Sequence, residues 1–192
     1  MLGYKTPCLL IVFGPPAVGK TTVALRIAER TNFKVLYNHL TIDLLVRFFK
    51  FGSPPFDRLN EEFRTLILNE AAQFNQDLIV TLGWRLDVAS DGEIVSRYTE
   101  LYRQGSTLFV ELSACLETRL QRNLMEERRL LKKIDWATEE RLRKMNQTHR
   151  YNSDVNFPFR DRLISLNTEL LTPQEAAGII INRFSLPALE QR

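Results

Sequence analysis

Residues 14–21 read Gly-Pro-Pro-Ala-Val-Gly-Lys-Thr, the full G-x-x-x-x-G-K-[ST] spacing, and their flanks decide what that spacing is worth. Before them, Cys8-Leu-Leu-Ile-Val-Phe13 is continuously apolar, as a strand buried on both faces must be. After them, Val23, Ala24, Ile27 and Ala28 recur at helical spacing. A buried strand, a glycine-bounded turn and a helix in that order constrain the chain to an α/β fold. The turn then presents successive N–H groups, backed by the positive end of the helix, as a nest for phosphate. Gly14, Pro15, Pro16, Ala17, Val18 and Gly19 are expected to form that nest, with Gly19 letting the backbone approach the phosphates without a Cβ clash. Lys20 supplies a mobile positive charge to the β- and γ-phosphates. The Thr21 hydroxyl is expected to ligate Mg²⁺, and Thr22 to help hold the α-phosphate. The expected ligand is Mg²⁺-ATP.

The rest of the chain repeats the alternation. Short apolar runs at 34–37, 77–82, 107–112 and 163–166 predict four more strands. Between them, helices are expected over 41–49 and 57–74, parted by the breaker Gly52-Ser-Pro-Pro55. A loop through Asp91-Gly92 should lead to a helix ending near Gln104-Gly105, with the glycine as its cap. A helix begins at 116, Thr138 caps another running towards Asn152, and Thr172-Pro-Gln-Glu175 is a capping box that opens the last helix. Strand–helix alternation predicts a five-stranded parallel sheet with helices on both faces, the three-layer α/β fold of P-loop NTPases. Ligands of such sheets gather at the carboxyl ends of the strands. No linker or repeat divides the 192 residues, so residues 1–192 are expected to form one domain.

Two cysteines, Cys8 and Cys115, are too few for a disulfide framework or a metal cluster, and their apolar neighbours suggest buried structural thiols. The apolar run at 8–13 is too short for a signal segment or a membrane span, which points to the cytoplasm and to no membrane partner. Charge is uneven. Ten basic and six acidic residues lie between Glu117 and Arg150, giving that window +4 against −1 for the remainder. Such a window is either a site for an anionic ligand or a solvated face of mixed charge.

Phe13-Gly-Pro-Pro-Ala-Val-Gly-Lys20, Tyr37-Asn-His-Leu-Thr-Ile-Asp43, Phe51-Gly-Ser-Pro54, Phe109-Val-Glu-Leu112 with Arg119-Leu-Gln-Arg-Asn123, and His149-Arg-Tyr-Asn-Ser153 occur in order along nearly the whole chain. In these pieces the chain resembles the nucleoside-monophosphate-kinase-like group of P-loop kinases, which holds shikimate kinase, gluconate kinase and adenylate kinase. More narrowly, it resembles bacterial proteins labelled "AAA family ATPase" or "shikimate kinase-like". The resemblance implies a core, an acceptor-binding helical region at 38–74 and a short arginine-bearing lid at 124–136. It further implies that Arg122 packs on the adenine or reaches the phosphates, and that Asn167 and Thr168 lie near the adenine. Two departures stand out: Asn38 and His39 occupy the place of the acids that follow the second strand in shikimate kinases, and Thr81-Leu-Gly-Trp-Arg85 carries no Walker B aspartate.

Other candidates follow from position and chemistry. His39 stands just past the second strand, as a base for an acceptor hydroxyl, as an anion ligand, or simply hydrogen-bonded. Asp43 is one helical turn on, able to orient His39, to be the base itself, or only to favour the helix start. Arg47, a turn further, is a salt-bridge partner or an acceptor clamp. Arg85 and Asp87 follow the third strand, where an arginine can hold a carboxylate or phosphate bidentately, and Trp84 is a pocket wall or a core stopper. Arg128 and Arg129 are the expected lid arginines, able to neutralise charge on the transferring phosphoryl group as the lid closes. These features predict ATP-dependent phosphoryl transfer to a small-molecule acceptor. The alternatives are a kinase of nucleotides or nucleic-acid ends, disfavoured by the lack of an aromatic–basic stacking platform, and a nucleotide-binding regulator or slow ATPase.

Overall fold

The computed structural model describes residues 6–103, 106–125 and 138–189. Its strands are β1 (Leu9–Phe13), β2 (Lys34–Leu36), β3 (Leu78–Leu82), β4 (Thr107–Ser113) and β5 (Leu163–Asn167). Its helices are α1 (Lys20–Ala28), α2 (His39–Leu45), α3 (Pro54–Gln73), α4 (Ala89–Leu101), α5 (Leu116–Asn123), α6 (Glu139–Thr148) and α7 (Pro173–Phe184). All strand pairs are parallel, in the order β2-β3-β1-β4-β5.

The continuous apolar run of β1 follows from its central place, where all five residues have no exposed surface. Alternate side chains serve opposite layers. Leu10 and Val12 pack with Val23, Ala24 and Ile27 of α1 and Ala176, Ala177 and Ile180 of α7. Leu9, Ile11 and Phe13 pack with Leu68 of α3 and Val95 and Tyr98 of α4. Each such side chain contributes about 1.5 to 3 kcal/mol by leaving water. The strand that launches the glycine-bounded turn is thus fully buried, and the α/β P-loop NTPase architecture expected from sequence is present.

Several expectations are corrected. Helix α2 begins at His39, two residues early, and ends at Leu45. The Pro54-Pro55 pair does not merely break a helix; it opens α3, where a missing N–H costs nothing and a fixed φ helps, with Ser53 extended just before it. Asp91 and Gly92 lie inside α4, not in a loop. That helix ends at Leu101 and Arg103 takes the left-handed turn at φ 55°, while Gln104 and Gly105 lie outside the described residues. Thr138 does cap α6, but the helix stops at Thr148 and residues 149–153 run without helix or strand. The capping box of Thr172 and Glu175 forms as read. Cys115 is exposed, not buried, because it is the N-cap of α5 and its sulfur accepts from the Thr118 N–H.

Among the described residues no helix is long and apolar enough to cross a membrane.

Candidate active site

A cavity of about 910 Å³ opens at the carboxyl ends of the strands, with Tyr37, Thr81, Leu82 and Thr168 in its wall. Its donor half is built by the turn between β1 and α1. Gly14 sits at φ 138°, and a Cβ there would stand 2.3 Å from the Leu112 carbonyl oxygen, so the turn can cross the end of β4 only with glycine. At Gly19 the reason differs from the expected one. Nothing lies within 4 Å of a Cβ built there, and it is φ 103°, at the N-cap of α1, that favours glycine. Ala17 also takes positive φ, at 66°. Its side chain packs with Leu120 of α5 and Leu142 of α6, tying the turn to the helices that flank residues 126–137.

Pro16, Ala17, Val18, Gly19, Lys20, Thr21 and Thr22 all line the cavity. Gly14 and Pro15 sit behind it, and their carbonyl oxygens accept from Lys20 Nζ at 2.8 and 2.7 Å. Arg122 and Thr168 join the wall on the same side. Arg122 donates to the Thr168 hydroxyl at 2.8 Å, to the Thr168 carbonyl at 2.7 Å and to the Val18 carbonyl at 3.3 Å. Its guanidinium is thereby fixed flat between the turn and the end of β5. Asn167, by contrast, is not a cavity residue; it closes β5 and its Oδ1 accepts from the Glu169 N–H at 2.9 Å. Arg119 is nearly fully buried and bonds the carbonyls of Ala114 and Pro16 and the side chain of Asn146, so it braces the turn from behind. Burial holds its pKa below the usual arginine value.

The opposite half is built from side chains. His39, 6% exposed, lines the cavity from the first turn of α2, and its Nδ1 meets Asp43 Oδ1 at 3.3 Å. Asp43, the partner of His39, does not itself line the cavity. Arg47 is exposed and not a cavity residue. Arg85 lines the cavity and is clamped bidentately by Asp91 at 2.9 and 2.6 Å, which raises its pKa. Asp87 turns away to the His149 ring and the Arg150 N–H. Trp84 serves both readings: it walls the cavity and packs with Phe13, Phe109 and Phe157. Arg128, Arg129 and the rest of 126–136 lie outside the described residues.

The sequence reading missed one face of α3. Asp57, Asn60, Glu61 and Arg64 fall at i, i+3, i+4 and i+7 and all line the cavity. Arg64 is 2% exposed; its Nη2 donates to the Thr81 carbonyl at 3.3 Å, while its Nη1 has no hydrogen-bond partner among the described residues. Beside it, Tyr98 donates to Glu61 at 3.1 Å, and burial pushes that phenol up to about 12. The polar stripe at helical spacing was the available signal. Tyr151, also missed, lines the cavity from the segment after α6. At the rim, the Arg141 guanidinium of α6 lies 5.3 Å from the Phe51 ring centre, and both residues line the cavity.

Mg²⁺ in such sites is held by one or two protein oxygens together with phosphate oxygens and waters. Thr21 offers one such oxygen beside Lys20. Among the described residues no group of three or more His, Cys, Asp or Glu is placed to hold a metal by itself. The donor set fits an ion that arrives on the phosphates.

The fold and the turn define an α/β P-loop NTPase fold. Solved structures agree. The chain superposes on a sugar kinase from Janibacter sp. HTCC2649 with a TM-score of 0.60 at 14% identity, covering 94% of this chain and 95% of that one. It matches the shikimate kinase from Acinetobacter baumannii, solved with shikimate, with a TM-score of 0.57 at 21% identity, over 95% of each chain. The tunicamycin resistance protein of Deinococcus radiodurans gives 0.58 at 20% identity, over 96% and 99%. At these identities the likeness is one of fold. No protein-family model matches the chain, and no curated protein matches it in sequence.

Proposed function

We propose that this chain is a single-domain P-loop kinase that transfers the γ-phosphate of Mg²⁺-ATP to a hydroxyl of a small acceptor carrying an anionic group. One observation carries the reading: a phosphate nest with its lysine and threonine opens into the same cavity as a buried, half-unpaired arginine and a His–Asp pair. Lys20 exchanges its two carbonyl partners for phosphate oxygens when nucleotide binds. Arg122 stands where it can flank the nucleobase. Arg64 receives a carboxylate or phosphate of the acceptor, since a buried guanidinium nitrogen without a partner is costly until an anion meets it. His39, oriented by Asp43, takes the proton of the attacking hydroxyl. The Thr21 hydroxyl would help hold the Mg²⁺, which would supply positive charge to offset that of the phosphates. The kinases among the structural neighbours support the same reading.

The test is ADP formation from Mg²⁺-ATP by the wild type and by Lys20→Ala, alone and with pooled sugars, sugar acids, shikimate-like acids, nucleosides, nucleotides and aminoglycosides. The expected result is a Lys20-dependent rise of at least about 100-fold with one anionic pool. A slow Lys20-dependent rate that no pool changes would favour a regulator or slow ATPase. Salt-sensitive binding of single-stranded oligonucleotides would favour a nucleic-acid-end kinase.

A further inference from the structure

The segment from His149 to Ser153 has no helix or strand, yet carboxylates hold it on both sides. Asp87 accepts from the Arg150 N–H at 2.8 Å and meets the His149 Nδ1 at 3.0 Å. Glu111, 6% exposed at the end of β4, accepts from the Ser153 N–H at 2.9 Å, from the Ser153 hydroxyl, and from Asn152 Nδ2 at 3.0 Å. The Leu86 N–H closes the strap by donating to the Arg150 carbonyl at 2.7 Å. Tyr151 lies between the two anchors, so its backbone is fixed on both sides and its ring is set in the cavity wall.

The hydroxyl of Tyr151 is the unexplained atom. The residue is 4% exposed, it lines the cavity, and its Oη has no hydrogen-bond partner among the described residues. Phenylalanine would fill the same space with no desolvation penalty, so core packing does not account for the hydroxyl. Its electrostatic neighbours are Arg85, Asp87, Asp91 and Arg119. Arg85 and Asp91 belong to the acceptor wall, whereas Arg119 bonds Pro16 of the phosphate turn. Tyr151 therefore stands where the acceptor half meets the donor half.

We propose that Tyr151 determines acceptor specificity: its phenol hydrogen-bonds an oxygen of the bound acceptor, and Asp87 and Glu111 position it for that bond. The proposal rests on the kinase reading above and adds to it a preference for acceptors with an oxygen beside the reacting hydroxyl. A polar atom reserved for a ligand discriminates more sharply than an apolar wall, because an acceptor lacking the matching oxygen leaves the hydroxyl unpaired.

The experiment compares the wild type with Tyr151→Phe, using the most active of the sugar-acid, shikimate-like and nucleotide pools as the probe. Melting temperature and Mg²⁺-ADP affinity are measured alongside. The expected result is an acceptor KM raised about five- to ten-fold, with ATP KM within two-fold and melting temperature unchanged or raised. Asp87→Asn should raise acceptor KM in the wild type and add nothing in the Tyr151→Phe background. An unchanged acceptor KM in Tyr151→Phe, or a melting temperature lowered by several degrees, would overturn the proposal while leaving the kinase reading intact. If no pool stimulates the wild type, the kinase reading and the proposal fall together, and Lys20→Ala would show whether any nucleotide turnover remains.

Discussion

The two halves of the cavity, donor and acceptor in the proposed reading, are made of different material. The donor half is backbone: a turn of positive-φ residues, carbonyls that hold Lys20, and N–H groups at the start of α1. The acceptor half is side chain, drawn from α2, α3, the loop after β3, α4 and the strap after α6. Backbone geometry is rigid and indifferent to what lies beyond the phosphates, which suits a common donor. Side chains on five separate segments can vary one at a time, which suits a particular acceptor.

The largest test of that division is Gly14→Ala. With positive φ and a Cβ 2.3 Å from a carbonyl oxygen, it should cost about 3 to 5 kcal/mol and show as lost soluble protein or a collapsed melting transition. Full retention of nucleotide binding by that variant would break the claim that backbone builds the donor half. Next is Arg64→Met. Acceptor kcat/KM should fall by about 2 to 4 kcal/mol, or roughly 30- to 1,000-fold, with melting temperature unchanged or higher and ATP affinity kept. Equal losses for ATP and acceptor would blur the two halves into one.

A smaller effect is expected at Asp87, whose carboxyl is held below its usual range by the Arg150 N–H and then by His149. A depressed carboxyl stabilises the fold above its unfolded pKa and loses that contribution as pH falls through the folded value. The strap should therefore loosen below about pH 3.8 in the wild type, and Asp87→Asn should remove that part of the acid limb in a melting-temperature series. The smallest effect is at Glu169, lowered to about 2 by Cys115 and Thr118. Its contribution should be full above pH 4.5 and fade as pH falls towards 2. Carbon-detected NMR should find its carboxyl midpoint near 2, and a midpoint near 4.5 would show that the bonds to Cys115 and Thr118 do not persist in solution.

The same division explains what was legible in the sequence. The donor half is contiguous, so residues 14–22 announce strand, turn and helix together. The sheet was legible because β1 reads as an unbroken apolar run, β3 is interrupted only by Thr81, and β4 keeps Leu108, Phe109, Val110 and Leu112 apolar. His39 and Asp43 were legible as neighbours one turn apart. Arg64 and Tyr151 were not, because their roles depend on burial and on distant partners: Thr81 for one, Asp87 and Glu111 around the other. Glu111 itself reads as an unremarkable acid in a strand. Cys115 was misread because an apolar neighbourhood in sequence says nothing of a capping geometry, and the Pro54-Pro55 pair because the same residues that end one helix can begin the next.

The contact between Phe51 and Arg141 bears on traffic through the cavity. One partner belongs to the loop before α3 and the other to α6, so a solute passing between them must part ring from guanidinium. A cation–π contact at such a rim is worth about 0.5 to 1 kcal/mol, one to two units of thermal energy. Its own contribution to holding ring and guanidinium together is therefore only a two- to five-fold bias, about the odds of a weighted coin, a latch that thermal motion alone can lift.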